Sequence, residues 1–582
     1  MQSLNSVNPL ELLMSEFESD QISVRVNAIR RLPIIASSMG ESSKAKGQLL
    51  GFLTNILDSE DSDEVLFNLA EALLSLGRYF KLKMLFVLER LVKIQEQVVR
   101  DKAVEVYINL VKYLKKTEMK EFIVPSVKKL AESTDFTTKI SSIHIMTQVY
   151  QSCSEEDKKT IRVGLNNLFG DDSLMVRRVL ASKLGVLCNF MSKSIVLSEL
   201  ISSFKRLSND DSDNVRILTI GGLIELAKNL NDEENKTHII PMIIALCSDK
   251  SWRVKYNLAL NFSSISKAVG RQVTCSLVNI FSSLLRDPEG EVRIQAVKAL
   301  AEFVHLLTID KIKLILPAIS TLTKDNAILV KVFVIDVVLR ILDMKLPDIN
   351  INQKQSFGAQ LQSIINNLAT SNDNEVKSNA MIIIKKWTTM VPLEKLDVLL
   401  KQLFEVCKEK VPWRLKYSIM DGLMASACVY KSPMSQSSFF KKVFLYGMQE
   451  RTSDIRMLMV SYIPKMATFL NHNTLFTAFI SEILKIVSEQ EKICYQIRIT
   501  GLYALQEFYL VIHTSKTFNQ LIIDQILSLL KSNITNIRQV AVKVLKQIVV
   551  KTDESELQSA IIKALQEIGQ RDSDLEVRFL AR

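Results

Sequence analysis

Apolar residues fall along the chain in pairs of helical stripes separated by short polar runs. Leu200, Ile201, Phe204 and Leu207 mark one stripe, and Val215, Ile217, Leu218, Leu223, Ile224 and Leu226 mark the next, with the polar run Asn209 to Asn214 between them. Spacings of three and four put each set on one face of a helix, so the pair predicts two helices joined by a tight turn. The turn carries a recurring figure: an Asp, four residues, then a β-branched residue and a base, as in Asp171 followed by Val176 and Arg177. The Asp recurs at Asp171, Asp210, Asp249, Asp287 and Asp325, in steps of 39, 39, 38 and 38, and the base follows at Arg177, Arg216, Lys255, Arg293 and Lys331. A period of that length marks a repeated structural unit. With looser matching the base position continues at Arg25, Leu66 (where the base is lost), Arg100 and Lys139, then at Lys377, Lys416, Arg456, Arg498, Arg538 and Arg578, which makes fifteen units.

Units of this kind bury one face of each helix pair against their neighbours. The predicted fold is all-α, a right-handed superhelical solenoid of about fifteen units of about 39 residues, treated as one elongated domain over residues 1–582. Pro125, Pro241 and Pro317 each stand fourteen residues before the base of their unit, which predicts a kink in the same turn of each first helix. With 16 Gly and 11 Pro in 582 residues, a turn-rich β protein is excluded. In the turn, the Asp is expected to cap the second helix. A base in the first turn of that helix opposes the helix dipole and needs another reason. Stacking is expected to bring the Asp of one unit near the base of the next, as a ladder of ion pairs. Trp252 and Trp413 share a phase three residues before the base, in the turn, which is the composition of a binding hot spot. Trp387, ten residues after Lys377, is expected to pack inside a second helix.

Two polar stretches interrupt the pattern. Lys345 to Gln353, in the 46-residue step from Lys331 to Lys377, reads as a surface insertion, and Lys431 to Ser438 separates two units. No basic-then-apolar signal segment opens the chain, and no apolar run approaches the roughly 18 residues that span a bilayer. The seven cysteines are scattered without a C-x-x-C pair and are expected to be buried and reduced, which suits a cytoplasmic or nuclear compartment. The net charge of +11 admits nucleic acid, but the bases, as in Lys128-Lys129, Lys158-Lys159 and Lys385-Lys386, read as solvated faces and not as a basic and aromatic stripe. No phosphate loop, metalloprotease motif or histidine cluster is present, and Asp61-Ser62-Asp63, Asp211-Ser212-Asp213 and Asp572-Ser573-Asp574 lack the Gly and closing Glu of a calcium loop. Neither catalytic residues, metal nor cofactor is therefore expected. The surface is that of a protein that holds other proteins.

The turn sequences carry a specific resemblance. Gln97 to Glu105, Met175 to Arg178 with Ala181 to Gly185, and Asp249 to Tyr256 resemble the third, fifth and seventh repeats of the scaffold (A) subunit family of type 2A protein phosphatase, and Asp63 to Leu66 with Leu69 to Glu71 resembles its second. The similarity spans the chain, strong in the first half and weak after Lys331, and the fifteen-unit count agrees with this HEAT-repeat family.

What the resemblance implies is a non-catalytic scaffold whose ridge of turns holds a phosphatase catalytic subunit together with an interchangeable B-type regulatory subunit, as heterodimer and heterotrimer. The regulatory subunit would occupy residues 1–330, through Met175, Arg177, Arg178, Asp213, Ser251, Trp252 and Arg253. The catalytic subunit would occupy residues 395–582, through Trp413, Arg414, Tyr495, Ile534 and Arg538. The chain departs from the family at Asp135, where the pattern has a tryptophan, at Ser453, where it has an aromatic, and in its basic balance. Two alternatives are a HEAT-class nuclear transport receptor, expected to have an acidic inner surface and more repeats, and a chromatin-associated HEAT protein.

Overall fold

The computed structural model describes residues 9–38, 43–344, 351–430, 434–467, 474–488, 493–511, 516–552 and 554–582. Met1–Lys311 form one compact unit and Ile312–Arg582 a second. Within each, every described regular element is helical. Fifteen second helices appear at the expected period, and the base position lies near the start of each, from Arg25 in Ile22–Ser38 to Arg578 in Leu575–Ala581. Successive second helices pack on one another through each unit, as Leu174–Phe190 does on Asp213–Asn229 and Trp413–Val429 does on Ser453–Ala467. The apolar stripes are the interior: Phe204, Leu207, Val215, Leu223 and Leu226 are fully buried. The all-helical solenoid read from the period is what forms.

Two of the three proline-bearing first helices, those with Pro125 and Pro241, are interrupted, by a more specific device than a proline kink. A π turn at Met119–Ile123 precedes Pro125, and another at Asn235–Ile239 precedes Pro241. Proline lacks the amide that would continue an α-helical ladder, and a wider turn tolerates that gap. Val196–Leu200 makes the same π turn with Ile201 and no proline after it, so the irregularity does not require proline. Pro317 sits inside Ile309–Leu322. Between repeats seven and eight there is no separate connecting loop. Trp252 to Leu284 is helical on both sides of Gly270, whose φ of 77° turns the chain.

Three readings change. Residues 345–350 and 431–433 of the two polar stretches lie outside the described residues, but Ile351, Asn352 and Gln353 open the helix Ile351–Ala369, and Met434 to Ser438 belong to Met434–Met448. The cysteines are not uniformly interior. Cys153, Cys188, Cys247 and Cys407 are buried, Cys275 and Cys428 half-buried, and Cys494 exposed. Burial pushes the Cys188, Cys247 and Cys407 thiols up to about 12.

The third change concerns the turn Asp. It does not cap the second helix. Asp171, Asp210 and Asp249 each accept the backbone N–H two residues on, from Ser173, Ser212 and Ser251, at 2.9, 3.0 and 2.8 Å. Those serines are the N-cap residues, and their side chains make no capping hydrogen bond. The Asp therefore shapes the turn as an Asx turn. True carboxylate caps occur at Asp135, which accepts from Thr137 and Thr138, and at Asp574, which accepts from Glu576 and Val577.

Candidate protein interface

The second helices start along the turns, so their first residues and the preceding turn form an edge in each unit. What that edge offers depends on which side chains the repeat consumes internally. The base is consumed. Arg216 donates from Nη1 to the carbonyls of Asp210 and Asp211 in its own turn, at 2.6 and 3.1 Å, and from Nε and Nη2 to the Asp249 carboxylate of the next repeat, at 2.7 and 2.8 Å. This is the compensation for a cation at the positive end of a helix. Hydrogen bonding to Asp249 holds the Arg216 guanidinium above the usual arginine range.

The ladder repeats along both units: Lys139 with Asp171, Arg177 with Asp210, Lys255 with Asp287, Lys331 with Asp373 and Arg538 with Asp572. Its sense is opposite to the expectation, since the base of one repeat reaches the Asp of the following one. Glu replaces Asp at two rungs, Arg25 with Glu60 and Lys416 with Glu450. At Arg456, Nε donates to the Thr500 hydroxyl at 3.0 Å.

This sorts the candidate residues. Arg177 and Arg538 belong to the ladder, with Asp210 and Asp572 as their partners and their own turn carbonyls as second acceptors. Arg178, one residue on, is exposed, as is Met175 at 43%. Two repeats later the structure brings four candidates together. Ser251 donates to Asp213 at 3.1 Å, Arg253 approaches the same carboxylate at 3.4 Å, and Trp252 between them is 45% exposed, edge-on to Tyr256.

In the second unit Trp413 is 43% exposed, with the Arg414 guanidinium 5.0 Å above its ring. Both tryptophans are the first residues of their helices, Trp252 of Trp252–Leu284 and Trp413 of Trp413–Val429. Beside Trp413 an open groove of about 710 Å³ crosses three successive second helices, lined by Tyr417, Asp454, Met457 and the hydroxyl pair Ser378 and Ser418, 2.7 Å apart. Tyr495 is half-buried at the start of Tyr495–Val511, and Ile534, 36% exposed, precedes Thr535–Lys551. The structure gives these two no contact with the groove. Trp387 is packed as expected, 5% exposed, with Nε1 donating to Gln362 at 2.6 Å.

Sequence reasoning missed the groove, because its lining comes from three repeats. Phe136, 44% exposed three residues before Lys139, stands at the same phase as Trp252. Among the described residues there is no group of histidine, cysteine or carboxylate side chains able to hold a metal ion, and no helix long and apolar enough to cross a membrane. The doublet lysines are solvated or paired, Lys158 with Glu155 on its own helix at 2.8 Å and Lys385 with Asp421 of the next repeat.

Residues 272–334 match the PPP2R1A-like HEAT repeat. The chain is 34% identical over 280 residues to the A-type regulatory subunit of protein phosphatase PP2A from Schizosaccharomyces pombe, covering 46% of this chain and 47% of that protein. It is 31% identical over 279 residues to the protein of the same name in Saccharomyces cerevisiae, covering 45% and 44%. Over 384 residues it is 28% identical to the A beta isoform of the human 65 kDa regulatory subunit of serine/threonine-protein phosphatase 2A, covering 51% and 63%. The chain thus spans about half the length of the yeast relatives it matches. A solved structure of Kap95p binding RanGDP is alike at a TM-score of 0.49 and 11% identity over 98% of this chain and 77% of that one, too loose to weigh for a transport receptor. The chain is related in sequence to the A-type regulatory subunits of PP2A, and its repeated helix pair is the HEAT repeat.

Proposed function

We propose that this chain is a non-catalytic scaffold that holds the catalytic subunit together with an interchangeable regulatory subunit of a type 2A serine/threonine phosphatase, and so sets the activity and substrate choice of the assembly. The names of its relatives support the complex. The observation that carries the reading to this chain is the pair of half-exposed tryptophans at one phase of the repeat, each beside an arginine, in different units. Large amphipathic side chains at low entropy cost are what protein interfaces use as anchors. Met175, Arg178, Asp213, Ser251, Trp252 and Arg253 serve the regulatory subunit within residues 1–330. Trp413, Arg414, Tyr495 and Ile534 serve the catalytic subunit within residues 395–582. Arg177 and Arg538 act on these surfaces by holding the turns in place. Cytoplasm and nucleus, where such phosphatase assemblies would meet their substrates, are the compartments we assign.

Affinity purification of the intact chain from its native cells, with identification of bound proteins, tests the reading. A serine/threonine phosphatase catalytic subunit in near-equal amount is the expected result. Its consistent absence, with transport cargo or chromatin proteins in its place, would overturn the proposal.

A further inference from the structure

A crevice of about 270 Å³ opens between Val124–Ala131 and Glu155–Leu168, the first helices of repeats four and five, and shares none of the candidate interface residues. Val127, Met146, Ile161 and Leu168 give it an apolar lining, each at most 4% exposed. Its origin is local. First helices to either side carry a π turn, at Met119–Ile123, Val196–Leu200 and Asn235–Ile239, whereas Glu155–Leu168 runs without one. Thirteen residues before the base, where neighbouring repeats have Val87, Ser126, Ser203, Met242 and Ile280, this repeat has Gly164. A Cβ there would lie 3.0 Å from Met146 Cε, so the missing side chain cuts the wall back to the methionine.

The rim is charged on both sides. Lys128 from one helix and Lys159 from the other line the mouth, both exposed. Lys128 reaches Glu132 only at 3.8 Å, and Lys159 makes no ion pair among the described residues. The volume is just under the roughly 300 Å³ at which pockets for drug-sized ligands begin, which suits one short apolar chain. The Glu132 carboxylate also lines the crevice, so the two ammonium groups leave one net positive charge there, the countercharge for one anionic head. We propose that this crevice binds a free single-chain anionic amphiphile, its tail against Met146 and its head against Lys128 and Lys159.

Decanoate, below its micellar concentration, is the probe, titrated into the full chain by calorimetry. One saturable site is expected. Lys128→Glu combined with Lys159→Glu weakens it at least tenfold, and Ala131→Phe, which fills the crevice, removes it. Should Ala131→Phe lower the melting temperature, Val163→Trp, built from a residue 54% exposed at the mouth, blocks the same space from outside. Decyltrimethylammonium fails to compete, and phosphatidylserine vesicles do not sediment the chain. No saturable site, a site indifferent to these variants, equal binding of the cationic amphiphile, or vesicle binding without decanoate binding would each overturn the proposal.

Discussion

Arg216 is 5% exposed at the positive end of a helix, and three acceptor groups make that position tolerable: two carbonyls behind it and one carboxylate from the next repeat. Removing one member of a buried charge pair leaves the other uncompensated, which typically costs 3–5 kcal/mol. Asp249, 7% exposed at its side chain, also shapes its own turn. Asp249→Ala is therefore expected to cost about 3 kcal/mol locally, more than a lost helix cap. Asp249→Asn keeps an acceptor for the Ser251 amide and should fall between the two. Hydrogen exchange across residues 210–255 reads this, since repeats couple to nearest neighbours and open as local units. Equal protection in wild type and Asp249→Ala would sink the account. Neighbouring arginines should separate in the same way: Arg177→Glu lowers the melting temperature through Asp210, whereas Arg178→Glu, exposed, leaves it unchanged.

The ladder also fixes a pH dependence. At Asp572 burial alone would raise the pKa, but hydrogen bonds from Arg538 and the Asp574 amide outweigh it and the value is lowered; at Asp373 the hydrogen bond from Lys331 lowers it. A carboxylate whose folded pKa lies below its unfolded one stabilises above the unfolded value, about 3.9 for Asp, and loses that contribution as pH falls through the folded value. Stability should therefore hold near neutrality and fall below about pH 4. Retained melting temperature at pH 3 would contradict it.

Among the elements, the turns between repeats are where composition spoke least. The helices and their phase were legible because burial imposes a spacing that the sequence must keep, visible at Leu200 through Leu226. Direction along the ladder was not, because the period is the same in either sense and only the stacking of the repeats selects Asp210 for Arg177. The Trp413 groove was invisible for the same reason, its walls coming from three repeats. Gly270 was passed over as one glycine among 16, yet its φ of 77° and ψ of 174° make the whole junction between repeats seven and eight. That region is essentially closed to residues with a Cβ, at a cost of about 1–3 kcal/mol. Nothing lies within 4 Å of where a Cβ would be, so no steric clash adds to it. Gly270→Ala should thus destabilise by about 1–3 kcal/mol in urea unfolding, and a neutral result would mean that the junction can be remade in another conformation.

For the whole molecule, a nearest-neighbour solenoid implies that surfaces in different units act independently when no contact is shared. Trp413 lies in the second unit, Trp252 in the first. Each is exposed on one face and neither is needed to fill a core, so truncation should leave helicity and melting unchanged. Loss of a central interface tryptophan commonly costs about 2 kcal/mol or more, or roughly thirtyfold in affinity. Trp413→Ala is therefore expected to weaken capture of the phosphatase catalytic subunit by at least that factor and to spare the regulatory subunit in a direct binding assay. Trp252→Ala should do the reverse. The double variant should lose both by the sum of the single effects, as repeats that couple only to their nearest neighbours would have it. Full catalytic-subunit affinity in Trp413→Ala would remove the groove from the interface, and a double variant far from additive would show that the two surfaces communicate through the repeats between them.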